Sequence, residues 1–350
     1  MLDYLVVGLG LAGISLCERL EQAGKTYHVF SDNSQQASLV AGGLYNPVIL
    51  KRFSLAWKAD IQMPIAMPFY EKLEQKLQVK LDYKMRVLRK FASIEEQNLW
   101  FEASDNPRLC SFLSTTIVKN QNNQLDAPFG FGEVLQTGRI DTKTLLTNYK
   151  AYLTKQDKIA IQKFDFNELQ LNTNCVSYKG VSAKQIVFCE GYGLKSNPYF
   201  NYLPLNGTKG ELLKITAPDL KENSVIKSSA FVIPLENNEY LLGATYKWKD
   251  KTNTPTQESK EELIEKASSF LKTKYEVTGH QAGIRPTVAD RRPLVGQHPE
   301  YQQLYVLNGF GSRGVLIGPY ASEQLVNLIE EGKALDVDMN INRFRKRYKA

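Results

Sequence analysis

Three histidines and four cysteines in 350 residues leave little material for several kinds of chemistry. His28, His280 and His298 stand far apart, and Cys17, Cys110, Cys175 and Cys189 form no C-x-x-C or other ligand spacing. Bound zinc needs such clusters, so no metal centre is expected, and scattered thiols suit a reducing compartment. Long apolar runs are also missing. No stretch approaches the ~20 residues that cross a bilayer, and the start lacks the basic, apolar and small-residue order of a signal peptide. The expectation is a cytoplasmic protein with no membrane span. Acidic residues number 37 against 44 Lys and Arg, for a formal charge of +7. That balance invites a polyanionic partner such as RNA, although a lysine-rich surface is the simpler source and no RNA-binding module is legible. The dense basic cluster Arg343-Phe344-Arg345-Lys346-Arg347-Tyr348-Lys349 reads most simply as a solvated segment.

What is present is concentrated at the start. Leu5-Val6-Val7 reads as an apolar strand running into Gly8-Leu9-Gly10-Leu11-Ala12-Gly13, and Ile14 to Gln22 reads as the helix that leaves it. Glycines at this spacing let a backbone turn tightly and approach a pyrophosphate, whose charge the helix N-terminus stabilises. Gly24 can end that helix, and Tyr27-His28-Val29-Phe30 is the expected second strand. A dinucleotide cofactor follows from this context rather than from the three glycines alone. The ribose-binding acid is irregular: Ser31 directly follows the strand and Asp32 comes one place later. Asp32 is the expected ribose ligand, with Ser31 the alternative.

The small-residue stretch from Ala37-Ser38 to Gly42-Gly43 either runs along the cofactor or is an ordinary glycine-rich connection. Trp57, Ile61, Ile65, Phe69 and Leu73 recur every four residues and predict a helix over 56–77. From about Lys80 to Glu133 short apolar runs alternate with polar residues, which reads as strands and long loops of a second, inserted domain. Asp141 or Thr142 caps the next helix. Gln185–Cys189 is an apolar strand that stops at Glu190-Gly191, either a central parallel strand facing ligand or a buried strand before a plain turn. Between Pro204 and Tyr246 the chain is strand-rich and expected to form an antiparallel wall, and Pro255–Lys272 reads as a surface helix.

The last part repeats the opening grammar. Leu304–Leu307 is a predicted strand, Asn308 to Gly314 a glycine-rich turn, and Val315–Glu331 a helix. Two such units at opposite ends imply one shared domain. The expected fold is α/β: a Rossmann-like cofactor domain over 1–79, 134–200 and 276–350, with an inserted α+β substrate domain over 80–133 and 201–275 built on a largely antiparallel sheet.

With these pieces in place the chain resembles the FAD-dependent D-amino-acid-oxidase-like superfamily, which includes glycine oxidase and sarcosine oxidase. The resemblance rests on Gly8–Gly13, Ala37–Gly43, Val187–Gly191, Phe231-Val232-Ile233-Pro234, Gly243-Ala244-Thr245, Gly283-Ile284-Arg285-Pro286 and the closing turn. Gly311-Ser312-Arg313-Gly314 followed by Pro319 looks most like the flavin domain of the bifunctional enzyme that modifies the tRNA wobble uridine. The resemblance implies noncovalent FAD, with no attachment His or Cys. Its adenosine end is expected on Gly8, Gly10 and Gly13 with Ser31 or Asp32, and its further contacts on Ala37, Ser38, Gly42, Gly43 and Gly191. The flavin ring is expected near Gly42-Gly43 and Gly309, Gly311, Ser312, Arg313 and Gly314.

The implied reaction is oxidation of an amine to an imine by hydride transfer to flavin. Arg285 is the expected clamp for a substrate carboxylate, a task suited to a bidentate guanidinium. Glycine oxidase has a tyrosine where this chain has Phe231, so Tyr246 is expected either to restore that hydroxyl or to pack within its strand. Arg313 faces substrate or flavin, or pairs with a carboxylate. The substrate expected is a small amine or amino acid. A tRNA whose wobble uridine loses a carboxymethyl group is the alternative partner, and a nonenzymatic FAD-binding protein is a third reading.

Overall fold

The hydrophobic run at the N-terminus becomes the Leu2–Val7 strand, and its alternation decides how the first layer is packed. In the computed structural model, which describes residues 1–348, Tyr4 and Val6 join the core formed with the helices, whereas Leu5 and Val7 join Phe30, Phe164, Tyr178 and Phe188 behind the sheet. Successive side chains of a strand point to opposite faces, so a run that is apolar throughout requires cover on both. The parallel ladder runs Ile159–Ile161, Tyr27–Ser31, Leu2–Val7, Val181–Phe188, Leu304–Asn308. Leu294–Gln297 adds an antiparallel edge, and Val176–Tyr178 with Leu169–Leu171 pair beside the start of Val181–Phe188. Val181–Phe188 is thus a central strand. Leu11–Gln22, Ala59–Leu77 and Gly314–Glu331 are the covering helices, packed on one another.

A second eight-stranded sheet stands across from this layer. Its order is Glu276–Arg285, Thr208–Thr216, Glu239–Gly243, Phe231–Pro234, Val225–Lys227, Val87–Lys90, Phe131–Val134, Leu113–Val118. All its pairs are antiparallel except Val225–Lys227 with Val87–Lys90, which joins the two segments expected to form the inserted domain. Leu213, Ile215, Val232 and Leu242 on its far face pack against Leu263, Ala267 and Phe270 of the Gln257–Ser268 helix region. Glu276–Arg285 hydrogen-bonds along Thr208–Thr216 from end to end. The boundary expected at 276 therefore cuts a strand from its sheet, and on pairing we assign Glu276–Arg285 to the second layer.

Several local expectations are corrected. A helix, Ile94–Ser104, stands where strands and loops were expected; Ser93 caps it by accepting from the Glu96 amide. Only Trp100 and Ser104 are buried along it, while Ile94 and Leu99 are exposed, so no apolar period marks it. The helix expected from residue 56 begins at Ala59, because Lys58 takes a left-handed backbone. Ile61, counted in its apolar stripe, is exposed; Met63, Ala66 and Tyr70 are buried instead. The strand expected to reach Tyr246 ends at Gly243. Among the described residues no helix is long and apolar enough to cross a membrane. Lys349 of the basic cluster lies outside the described residues.

Candidate active site

The C-terminal ends of the parallel strands and the inner face of the second sheet enclose a cavity of about 1150 Å³. That exceeds the roughly 300–1000 Å³ of a pocket for one drug-sized ligand. Leu2–Val7 delivers Gly8 to its rim, where the Gly8 amide donates to Phe30 O at 2.8 Å and the backbone turns with φ +99°. A Cβ on Gly8 would stand 2.6 Å from Cys189 O, and one on Gly13 2.1 Å from Gly8 O. The loop is therefore closed around itself, and only glycine fits. Helix Leu11–Gln22 starts with no side-chain cap and no acid in its first turn, so the positive end of its dipole is open to an anion. The Leu11 amide donates to Ser38 Oγ at 3.2 Å, tying this helix start to the Ala37–Gly43 segment.

Gly8, Gly10, Ser31, Asp32, Ala37, Ser38, Gly42, Gly43, Gly191, Gly311, Ser312, Arg313, Gly314, Arg285 and Tyr246 all line the cavity. Gly13 and Gly309 do not: they shape the two turns from behind, Gly309 packing so close that a Cβ would lie 2.6 Å from Val288 Cγ2. Asn308 Nδ2 donates to Gly191 O at 2.9 Å, locking together the ends of two neighbouring parallel strands. Helix Gly314–Glu331 also begins without a side-chain cap or a first-turn acid. Its positive end, with Gly311–Val315 in the cavity wall, suits a flavin edge on which reduction develops negative charge.

At the end expected to hold adenosine, Asp32 is occupied locally, its Oδ1 accepting from the Ser34 amide and hydroxyl at 3.0 and 2.7 Å. Ser31 Oγ donates to Asp32 O at 3.2 Å. Glu190 enters the same end from the central strand, a residue that sequence reasoning passed over although it precedes Gly191. Its Oε2 accepts from Asn197 Nδ2 at 2.7 Å, and burial, with Asp32 nearby, pushes its carboxyl up to about 7 against that hydrogen bond.

Three cations gather at the opposite end. Arg285 closes its strand, and its guanidinium lies over Gly210, where a Cβ would be 2.0 Å from Nη2. Nη1 donates to Thr245 O at 3.2 Å, and Cζ stands 5.3 Å from the Tyr246 ring centroid. Tyr246 is 41% exposed and presents its ring to Arg285. Arg313 Nη1 donates to Asn46 O at 2.7 Å; burial lowers this guanidinium to about 10. Lys227, which no motif marked, places Nζ 4.2 Å from the Phe231 ring centroid; burial first, then Arg313, Arg89 and Arg285, lowers it to about 8.

Residues 3–328 match the family described as FAD dependent oxidoreductase, or DAO. The chain belongs to that family. It is 28% identical to glycine oxidase of Bacillus subtilis over 144 residues, which are 39% of each chain. It is 27% identical to the tRNA 5-methylaminomethyl-2-thiouridine biosynthesis bifunctional protein MnmC of Shewanella pealeana over 181 residues, covering 41% of this chain and 28% of that one. The match thus spans about two-fifths of the first relative's length and less of the second's. The crystal structure of glycine oxidase from Geobacillus kaustophilus superposes with a TM-score of 0.78 at 18% identity, covering 98% and 97% of the two chains, and shows a shared fold.

A DAO member is an FAD-dependent oxidoreductase, and the residues present fit that cofactor. The closed glycine loop and the uncapped start of Leu11–Gln22 would accept its phosphates, the uncapped start of Gly314–Glu331 would face its flavin edge, and all three border one cavity. Among the described residues no histidine lines the cavity, and Cys189, beside Gly8, is the cysteine that does. The family assignment sets aside the nonenzymatic reading.

Proposed function

We propose that this DAO enzyme oxidises the C–N bond of an amino acid or N-substituted amino acid, holding FAD noncovalently. The observation that carries the reading is Arg285: a half-buried residue whose guanidinium stands in the cavity wall, aimed by Thr245 and Tyr246, with no carboxylate partner among the described residues. An arginine fork of this kind binds a carboxylate bidentately and fixes the orientation of the carbon beside it. Bound FAD supplies the two-electron acceptor for the hydride of that carbon. The chain's own part is positioning and exclusion of water. Phe231, Ile233 and Leu212 line the cavity as an apolar wall that would keep water from the reacting carbon, and the Gly42-Gly43 segment adds backbone to the same lining. Burial lowers Arg285 from its ordinary range, but a guanidinium stays charged at neutral pH, so the clamp persists across the working range.

A second reading is a tRNA wobble uridine bearing a carboxymethylaminomethyl group. It is favoured by Tyr246, which lines the cavity, and Trp248 packed 5.3 Å from it; the two are 41% and 47% exposed and alternate with Lys249 and with Lys247, the latter paired to Glu258 and Glu262. Exposed aromatic rings among lysines suit stacking of unpaired bases. Anaerobic bleaching of the flavin tests both. Bleaching by free amino acids or N-alkyl amino acids supports the first reading, and bleaching by modified RNA alone replaces it with the second. Reducing conditions inside the cell suit the four free cysteines, and we place the enzyme in the cytoplasm.

A further inference from the structure

The substrate end of the cavity carries more positive charge than one carboxylate can neutralise. Among the described residues lining the cavity, the acids Asp32 and Glu190 stand at the ends of Tyr27–Ser31 and Val181–Phe188, beside the glycine loop. Lys227, Arg285 and Arg313 come from three separate elements and share the other end without a carboxylate partner. Burying an unpaired cation costs several kcal/mol, and like charges in one pocket add to that. Such an arrangement is retained when a ligand supplies the missing anions. The substrate carboxylate would match Arg285, and Arg313, at the start of Gly314–Glu331, would meet the charge that develops on a bound flavin. Lys227 is matched by neither.

Its placement gives the second charge a position. Lys227, Phe231, Gly243 and Leu212 form one cross-strand row. The Arg285 guanidinium lies over Gly210, two residues from Leu212 on the same face. With strands ~4.8 Å apart and Lys227 leaning over Phe231, two strands away from the one that carries Gly210, the two cations bracket a floor on the order of 10 Å wide. Phe231 and Gly243 form that floor, apolar and free of competing acids. We propose that Lys227 is a second anion subsite and that the substrate is an amine bearing a further acidic group in addition to the carboxylate held by Arg285. This rests on the amino-acid reading above and narrows it to doubly acidic amines.

The test is ligand binding to the FAD-loaded enzyme, followed by perturbation of the flavin visible spectrum. Acetate and propionate are titrated against malonate, succinate and glutarate, in wild type, Lys227→Met and Lys227→Arg, with flavin content and Tm checked for each. In wild type the best dicarboxylate binds at least roughly tenfold tighter than propionate. Lys227→Met abolishes that preference while leaving propionate binding unchanged, and Lys227→Arg retains it. Propionate binding without any dicarboxylate preference overturns the second subsite and leaves the Arg285 reading intact. Equal weakening of both ligand classes by Lys227→Met also overturns it. Binding of neither class overturns both readings.

Discussion

Replacing Glu190 by Gln removes a titrating carboxyl from the end of the cavity beside the glycine loop while keeping a side chain of the same shape. In the unfolded chain that carboxyl loses its proton near 4.5, whereas the folded, FAD-free protein holds it to about 7, chiefly through burial. Between these values the folded state binds the extra proton, so its stability falls as pH rises and levels off above about 7. The interval, at about 1.36 kcal/mol per pH unit, is worth about 3 kcal/mol. Urea unfolding of FAD-free wild type and Glu190→Gln at a series of pH values reads this directly. The wild type is expected to lose about 3 kcal/mol more than the variant from pH 4.5 to about 8. Stability curves that run parallel would refute the reasoning. Ribose hydroxyls donating to Glu190 would favour its ionised form. Glu190→Gln is therefore expected to weaken FAD retention above pH 7 more than Asp32→Asn, whose carboxylate is already engaged by Ser34.

Arg285→Ala removes a charge-assisted pair, and a loss of about 2–5 kcal/mol predicts that KM for a carboxylate substrate rises by between tens and thousands of fold; unchanged saturation kinetics would exclude the clamp. Gly210→Ala sets a Cβ within 2.0–2.2 Å of the Arg285 guanidinium, the far end of a flexible side chain. It is expected to raise KM with little change in Tm, and a large fall in Tm would show that the backbone at Gly210 matters more than the arginine. Gly13→Ala meets backbone instead, with Cβ 2.1 Å from Gly8 O. That variant is expected to be isolated without flavin, and full flavin content in its absorption spectrum would contradict the close-turn argument.

Much of the frame is legible in the sequence because it is set by local rules. Steric closure of Gly8–Gly13, the alternation through Leu2–Val7, and the Asp141 cap, whose side chain accepts from the Thr144 amide at 3.1 Å, each act within a few residues. Resemblance carried the reading further, to Arg285 and the closing glycine turn. The helix Ile94–Ser104 was illegible because its apolar residues Ile94 and Leu99 face solvent, which erases the period that reveals a helix. Tyr246 shows the limit of counting along a strand: the regular ladder ends at Gly243 and full pairing resumes only at Lys247 with Lys209, which leaves Tyr246 between them in the cavity lining.

By itself, then, the sequence determined where the backbone must turn, which stretches alternate, and which family's motifs the chain carries. Only the tertiary structure decided that Glu190 joins Asp32 at one end of the cavity while Lys227 joins Arg285 and Arg313 at the other. The physical reason is strand register and burial. Both are fixed by pairing between segments far apart in the chain, such as Lys227 with Phe231 and Phe231 with Gly243. A lysine's charge changes meaning when that pairing takes it partly out of water and beside two other cations.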